Sequence, residues 1–235
     1  EPLRLWGPKG LNALLKKTDG LGSERLSFPL ELTEITPGEP VKRAGYVMLP
    51  FPVNHRHQLA VGWALIEEER RGRFDPELAR SMGIPEGPLW GKIHRGERIT
   101  LEDGRVVESS VLVGPTRVGR RVVITGDTRP CDATVAASTG ADVIVHEATF
   151  GDDEAARAVE TGHSTAREAA DVAARAGARR LVLTHFSARY SNDPSDLARE
   201  ARERFSATQC ARDGMILDVP FADADPLDAS APGNA

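Results

Sequence analysis

From residue 121 onward the chain repeats one pattern: a short apolar run, a polar break, a helix of small residues, then another apolar run. "RVVIT" precedes the helical "CDATVAAST". "ADVIVHE" precedes "STAREAADVAARAGA", which Gly177 ends. "RLVLTH" precedes "DPSDLAREARERF", and "MILDV" is expected as a last strand. Strands alternating with helices define a layered α/β fold, and runs this short suit strands of a covered sheet. At 235 residues and 40% hydrophobic content, the chain is long enough for one large domain with a substantial core.

The first half is less regular. "KGLNALLKK" (9–17) suits a helix with Leu11, Leu14 and Leu15 on one face. "LELTEI" (30–35), "GYVMLPFPV" (45–53) and "LAVGWALIE" (59–67) read as strands. Residues 69–106 are rich in Gly, Pro and Arg and poor in core. They are expected to leave the domain as an excursion with one short helix near 75–82. The small, acidic, Pro-containing tail 221–235 is expected to be disordered.

The strands end in unusual punctuation. "VVITGD" ends at Asp127, "DVIVHEATF" carries His146 and Glu147, "LVLTHFSARY" presents His185, and "FPVNHRH" ends near His55. Ligands of layered α/β folds gather at the carboxyl edge of the sheet. Plainer readings stand beside each residue: Asp127 as the N-cap of the next helix, His185 as a satisfied core histidine, His146 as a structural histidine bonded to backbone. His57 and His94 read as surface residues. Taken together, His, Asp and His on separate strand ends suit zinc, which favours imidazole and carboxylate. In "ETGHSTAREAAD", Thr165 and Glu168 have capping-box spacing, with His163 just outside the helix start.

Charge restrains the range of functions. The net charge of −5 is wrong for a protein that binds nucleic acid over its whole surface, so such binding requires a local patch. One exists: between 70 and 98, seven Arg and Lys face four Asp and Glu. The two cysteines, Cys131 and Cys210, have no metal-ligand spacing, and a reducing cytoplasm is the default. No apolar run has the length of a membrane span.

The run "VVITGDTRPC … ADVIVHEATF … GHSTAREAADVA … RLVLTHFSARY" resembles the ribonuclease Z family, tRNA 3′-processing endonucleases of the metallo-β-lactamase superfamily. "PLRLWGPKGL", "FPVNHR" and the 69–106 excursion fit as well, so the resemblance covers residues 2–220. It implies a metallo-β-lactamase αββα sandwich over 1–220, lacking its N-terminal part and interrupted by a tRNA-binding flexible arm at 69–106. It implies two Zn²⁺ per complete site, with Asp127 bridging them, His185 on one and His55 on the other. It makes His163 and Glu147 catalytic, His163 assisting proton transfer to the leaving oxygen, and His146 a group that orients ligands. It assigns Arg70, Arg71, Arg73, Gly87, Pro88, Lys92 and Arg95 to substrate binding. The implied function is zinc-dependent removal of the 3′ trailer from precursor tRNA by activated water, leaving a 3′-hydroxyl on the tRNA, in a cytoplasmic homodimer.

Two departures accompany the match. The family's leading His-x-His-x-Asp-His motif is not in the sequence, which starts at Glu1. With so few ligands, these residues alone are expected to hold metal weakly and to cut nothing. The segment "NHRHQLAVGW" is one residue longer than the usual pattern, which leaves His57 a rival to His55. Two other functions remain open: a metallo-β-lactamase-type phosphodiesterase or esterase for a small substrate, and a non-catalytic RNA-binding fragment.

Overall fold

The computed structural model describes residues 1–17, 26–56, 59–190 and 192–222. The chain divides into two compact units, one formed by Glu1–Ile66 with Arg120–Pro220, the other by Glu67–Gly119 with the segment from Phe221.

The first unit opens with β1 (Leu3–Pro8), helix α1 (Leu11–Lys17) and β2 (Leu30–Ile35). Strands β1 and β2 form a separate two-stranded parallel sheet, Leu3 opposite Leu30 and Pro8 opposite Ile35. Strand β1 lies outside the strands expected from the sequence. β3 (Val41–Arg43), β4 (Tyr46–Pro52) and β5 (Val61–Glu67) follow and enter the main sheet.

The second unit contains α2 (Pro76–Ser81), α3 (Pro88–His94), the hairpin β6 (Ile99–Thr100) and β7 (Val106–Val107), and α4 (Ser109–Leu112). Asp75 caps α2 by accepting from the Leu78 N–H at 2.8 Å. Gly87 and Pro88 open α3: Gly87 is the cap with φ 135° and ψ −146°, which a side chain would resist, and Pro88 supplies the first helical residue. This region was expected to have little core. It has one: Ala79, Ile84, Ile93, Ile99, Val107 and Leu112 are buried together, with Phe74 and Trp90 packed against them. Paired backbone bonds between Arg70 and Arg117, 2.7 and 2.8 Å, close the unit at its base. Phe221, on the segment expected to be disordered, lies under the Arg70 guanidinium at 3.4 Å; residues 223–235 fall outside the described residues.

The rest of the first unit alternates strands and helices as expected, with α6 and β11 as additions: β8 (Arg121–Ile124), α5 (Asp132–Ala137), β9 (Val143–Glu147), α6 (Ala155–Thr161), α7 (Ala166–Arg175), β10 (Leu181–Thr184), α8 (Ser195–Arg202) and β11 (Thr208–Cys210). The seven-stranded sheet has the order β11-β10-β9-β8-β5-β4-β3. β8 to β11 are parallel, while β5 runs antiparallel to β8 with Ile66 opposite Arg121. Helix α7 buries Ala166, Ala169, Ala170, Val172 and Ala173, one stripe at helical spacing, against a core that includes Ile144, Leu181 and Leu183. Small side chains let the helix approach the sheet closely. The last strand is not "MILDV". Residues 215–219 are irregular and Ile216 is 89% exposed, whereas "TQC" pairs with β10.

Candidate metal centre

Four side chains come together at the ends of these elements. Asp127 lies three residues past β8, and His185 directly follows β10. His55 follows β4, and His163 sits in the turn between α6 and α7. The His163 ring stands between the other two imidazoles, its centroid 5.0 Å from that of His55 and 5.1 Å from that of His185. Asp127 Oδ1 is 3.6 Å from His185 Nε2. Ligand atoms of His55, Asp127 and His163 all lie within 4.8 Å of one another.

Asp127 is not a helix cap. Helix α5 starts five residues later and is capped at Cys131. The carboxylate is 42% exposed and directed at the imidazoles. His185 is held in the left-handed region, φ 57°, where few side chains other than glycine's neighbours Asn and Asp rest comfortably.

Glu147 organises the site from below. It is 1% exposed, and its two oxygens accept five hydrogen bonds. Oε1 takes Thr128 N–H (2.9 Å) and His163 Nδ1 (2.8 Å). Oε2 takes Thr149 N–H (3.2 Å), Thr149 Oγ1 (2.8 Å) and Ser164 N–H (3.0 Å). Glu147, His163 and His185 also satisfy the distances of a cation site. A carboxylate so fully committed is nevertheless an anchor for its neighbours rather than a free ligand.

These bonds fix the imidazole tautomers. The Thr149 hydroxyl gives its one proton to Glu147, so it accepts from His185 Nδ1–H at 2.9 Å. His163 Nδ1–H donates to Glu147, and His55 Nδ1–H donates to the Gly162 carbonyl at 3.0 Å. All three rings therefore keep Nε2 as the basic nitrogen. Gly162 caps α6 with φ 80°, and a Cβ there would come within 2.8 Å of Arg56 Cγ, so the position that holds His55 requires glycine. The capping box is present: Thr165 Oγ1 accepts from Glu168 N–H at 3.2 Å and Glu168 Oε2 from Thr165 N–H at 2.9 Å.

His146 is fully buried next to this cluster. Its Nδ1 donates to the Glu147 carbonyl at 2.7 Å, and its Nε2 has no partner among the described residues. Burial holds its pKa below the usual histidine range. His57 lies outside the described residues. Sequence reasoning missed Thr149 and Arg129; the first stands two residues past Glu147 in "HEAT", and the second gives no local signal.

In the second unit, the residues predicted to bind substrate differ in freedom. Arg71 Nη1 donates to the His94 carbonyl at 3.1 Å, and Arg95 pairs with Glu97 at 3.2 Å. Arg70 is half-buried over Phe221, and Arg73 is exposed. Lys92 is exposed and has no side-chain partner among the described residues. Over the whole of Glu67–Gly119, nine Arg and Lys face ten Asp and Glu, so the basic character belongs to part of the unit only.

The donor set fits a divalent metal ion. The Nε2 edges of the imidazoles converge with one carboxylate, and each imidazole is oriented from behind by a carbonyl, hydroxyl or carboxylate. Among the described residues, no helix is long and apolar enough to cross a membrane.

Comparisons with known proteins identify the family. A beta-lactamase superfamily domain matches residues 93–186. The chain is 58% identical over 224 residues to ribonuclease Z of Gemmatimonas aurantiaca, covering 95% of this chain and 71% of that protein. It is 52% identical over 224 residues to ribonuclease Z of Myxococcus xanthus, covering 95% and 73%. Among solved structures, human tRNase Z, short form, aligns with a TM-score of 0.57 at 24% identity, over 94% of this chain and 69% of that one, a likeness of fold. The chain thus has the metallo-β-lactamase fold, and it belongs to the ribonuclease Z family of hydrolytic endoribonucleases.

Proposed function

We propose that the protein is a zinc-dependent endoribonuclease that removes the 3′ trailer from precursor tRNA and leaves a 3′-hydroxyl on the tRNA. The observation that carries this reading is the convergence of His55, Asp127, His163 and His185, with every imidazole held in the Nδ1–H tautomer. The identity to ribonuclease Z proteins supports the substrate.

In this reading His55, Asp127 and His185 are the residues that would hold the metal, with Asp127 supplying the carboxylate. Bound zinc acidifies water and offsets the charge of the attacked phosphate. His163 delivers a proton to the leaving oxygen from Nε2. The Glu147 carboxylate, 2.8 Å from Nδ1, lets that ring carry the proton between turnovers, as a buried carboxylate does behind a general acid–base histidine. His146 fixes the backbone on which Glu147 sits. Exposed cations of the 69–106 arm, Lys92 foremost, contact tRNA phosphates, and Gly87-Pro88 shape the helix start beside them. The working assembly is a cytoplasmic homodimer.

The test uses protein in which this sequence accompanies the family's His-x-His-x-Asp-His motif. A precursor tRNA with a labelled 3′ trailer is incubated with zinc or with a chelator, and the new ends are identified. Trailer release with a 3′-hydroxyl on the tRNA, stopped by chelation and restored by zinc, is expected. Cleavage at scattered positions, or turnover indifferent to chelation, overturns the proposal.

A further inference from the structure

The turn that carries His163 is clasped from outside by three side chains. Arg56 Nη2 donates to the Glu160 carbonyl at 2.9 Å, His55 Nδ1 to that of Gly162 at 3.0 Å, and Arg129 Nη1 to that of His163 itself at 2.7 Å. Arg129 is the most connected of the three. Its Nη1 also donates to Glu168 Oε2 at 2.6 Å and its Nη2 to Glu168 Oε1, a two-pronged ion pair in which the side chains are only 19% and 30% exposed. Its backbone N–H donates to the Asn54 carbonyl at 2.7 Å, next to His55. Arg129 itself stands two residues from Asp127. One residue thus ties together the segments that carry His55, Asp127 and His163, and its guanidinium does so through the His163 carbonyl and Glu168.

We propose that Arg129 is a positioning residue for His163. Glu168 locks the guanidinium in plane, and the remaining reach of Nη1 pins the His163 carbonyl. The pinned backbone sets the imidazole against Glu147 with Nε2 turned toward the cluster. Glu168 is itself fixed by the capping box of α7, so the position of His163 is referred to a helix rather than to a loop. The planar fork of arginine meets a carboxylate and a carbonyl together; an ammonium group lacks that geometry. The consequence for turnover rests on the proposed role of His163, whereas the positioning does not.

The comparison that decides this uses Arg129→Met and Glu168→Gln in the full chain. Both break the ion pair, so both lower the thermal midpoint. Arg129→Met removes the donor to the His163 carbonyl outright, whereas glutamine at 168 keeps one neutral oxygen that still accepts from the guanidinium, so Arg129 loses its charged partner but not its donor to His163. The first readout is the NMR signal of the His163 Nδ1–H in metal-free protein, assigned by its loss in His163→Gln. Arg129→Met is expected to broaden or remove that signal and Glu168→Gln to keep it. On precursor tRNA, kcat is expected to fall roughly 10–100-fold in Arg129→Met with little change in KM, and by much less than tenfold in Glu168→Gln. A His163 signal kept in both variants, or lost in both alongside equal midpoint shifts, overturns the proposal and makes the pair a stabilising contact only. Should Arg129→Met not fold, Arg129→Lys decides: a broadened signal supports the role and an unchanged one overturns it. If the parent protein cuts no precursor tRNA, the functional reading fails, and the NMR comparison still judges the positioning.

Discussion

The metal centre and the Glu67–Gly119 unit build polar chemistry in opposite ways. At the centre, a buried carboxylate accepts five bonds, the imidazole tautomers follow from it and from one glycine carbonyl, and the donors emerge from ends of a packed sheet. In the second unit, the core is a handful of aliphatic side chains, and the charges lie exposed, several of them paired with neighbours, such as Arg80 with Glu86 and Arg95 with Glu97. The first arrangement suits chemistry that requires fixed geometry. The second suits contact with a flexible, charged partner through many weak interactions. Reaction and recognition are therefore expected to be separable by mutation.

The largest effect expected is at the centre. In protein that also carries the family's His-x-His-x-Asp-His motif, Asp127→Asn, which removes the negative charge that offsets the cations, should cut turnover on the order of 10³-fold or more on precursor tRNA and on a small phosphodiester alike. Near-normal turnover on either substrate would break the assignment. Next comes removal of the second unit. Because Ile66 and Arg121 are partners on adjacent antiparallel strands, residues 67–120 can be replaced by a two-residue Asn-Gly turn. Precursor tRNA turnover should drop about 10²-fold or more while the small phosphodiester is still cut. Equal loss on both would mean that the two regions do not divide the work.

Smaller effects sharpen the contrast. His146 is buried neutral, with its pKa pushed down by burial, so the unfolded chain takes up its proton first as pH falls. Stability is full above about 6.5 and declines below it, by at most about 1.4 kcal/mol per pH unit, until the folded pKa is reached. His146→Asn, which keeps a donor for the Glu147 carbonyl, should flatten this part of the denaturation profile; an unchanged slope would assign the acid sensitivity elsewhere. The smallest effect is expected at the exposed cations. Lys92→Ala should raise KM for precursor tRNA a few-fold and reduce the salt dependence of binding by about one counterion, with kcat preserved. Arg95→Ala, whose cation is already paired with Glu97, should do less.

The sequence made the centre more legible than the surroundings that hold it. Asp127 and His185 stand out because an apolar strand has no use for them at its exit. Whether Asp127 capped a helix was open until the start of α5 proved to be five residues away. Thr149 and Arg129 were illegible, since their roles lie in bonds to residues 36 and 34 positions distant. The alternation after residue 121 gave three of the four strands; "MILDV" has a strand's composition but is irregular, while the unremarkable "TQC" pairs with β10. In the second unit, the buried Ile84, Ile93, Ile99, Val107 and Leu112 follow neither helical nor strand spacing across the whole segment, so its core left no periodic trace.

The hairpin between β5 and β8 has a consequence for how the chain folds. Two central neighbours in the sheet are separated by an insertion, which would ordinarily burden their pairing with the entropy of closing a long loop. The paired backbone of Arg70 and Arg117 closes that loop from within the insertion. Once it forms, the two strands meet as if joined by a short connection, so the sheet need not wait for a slow, distant encounter.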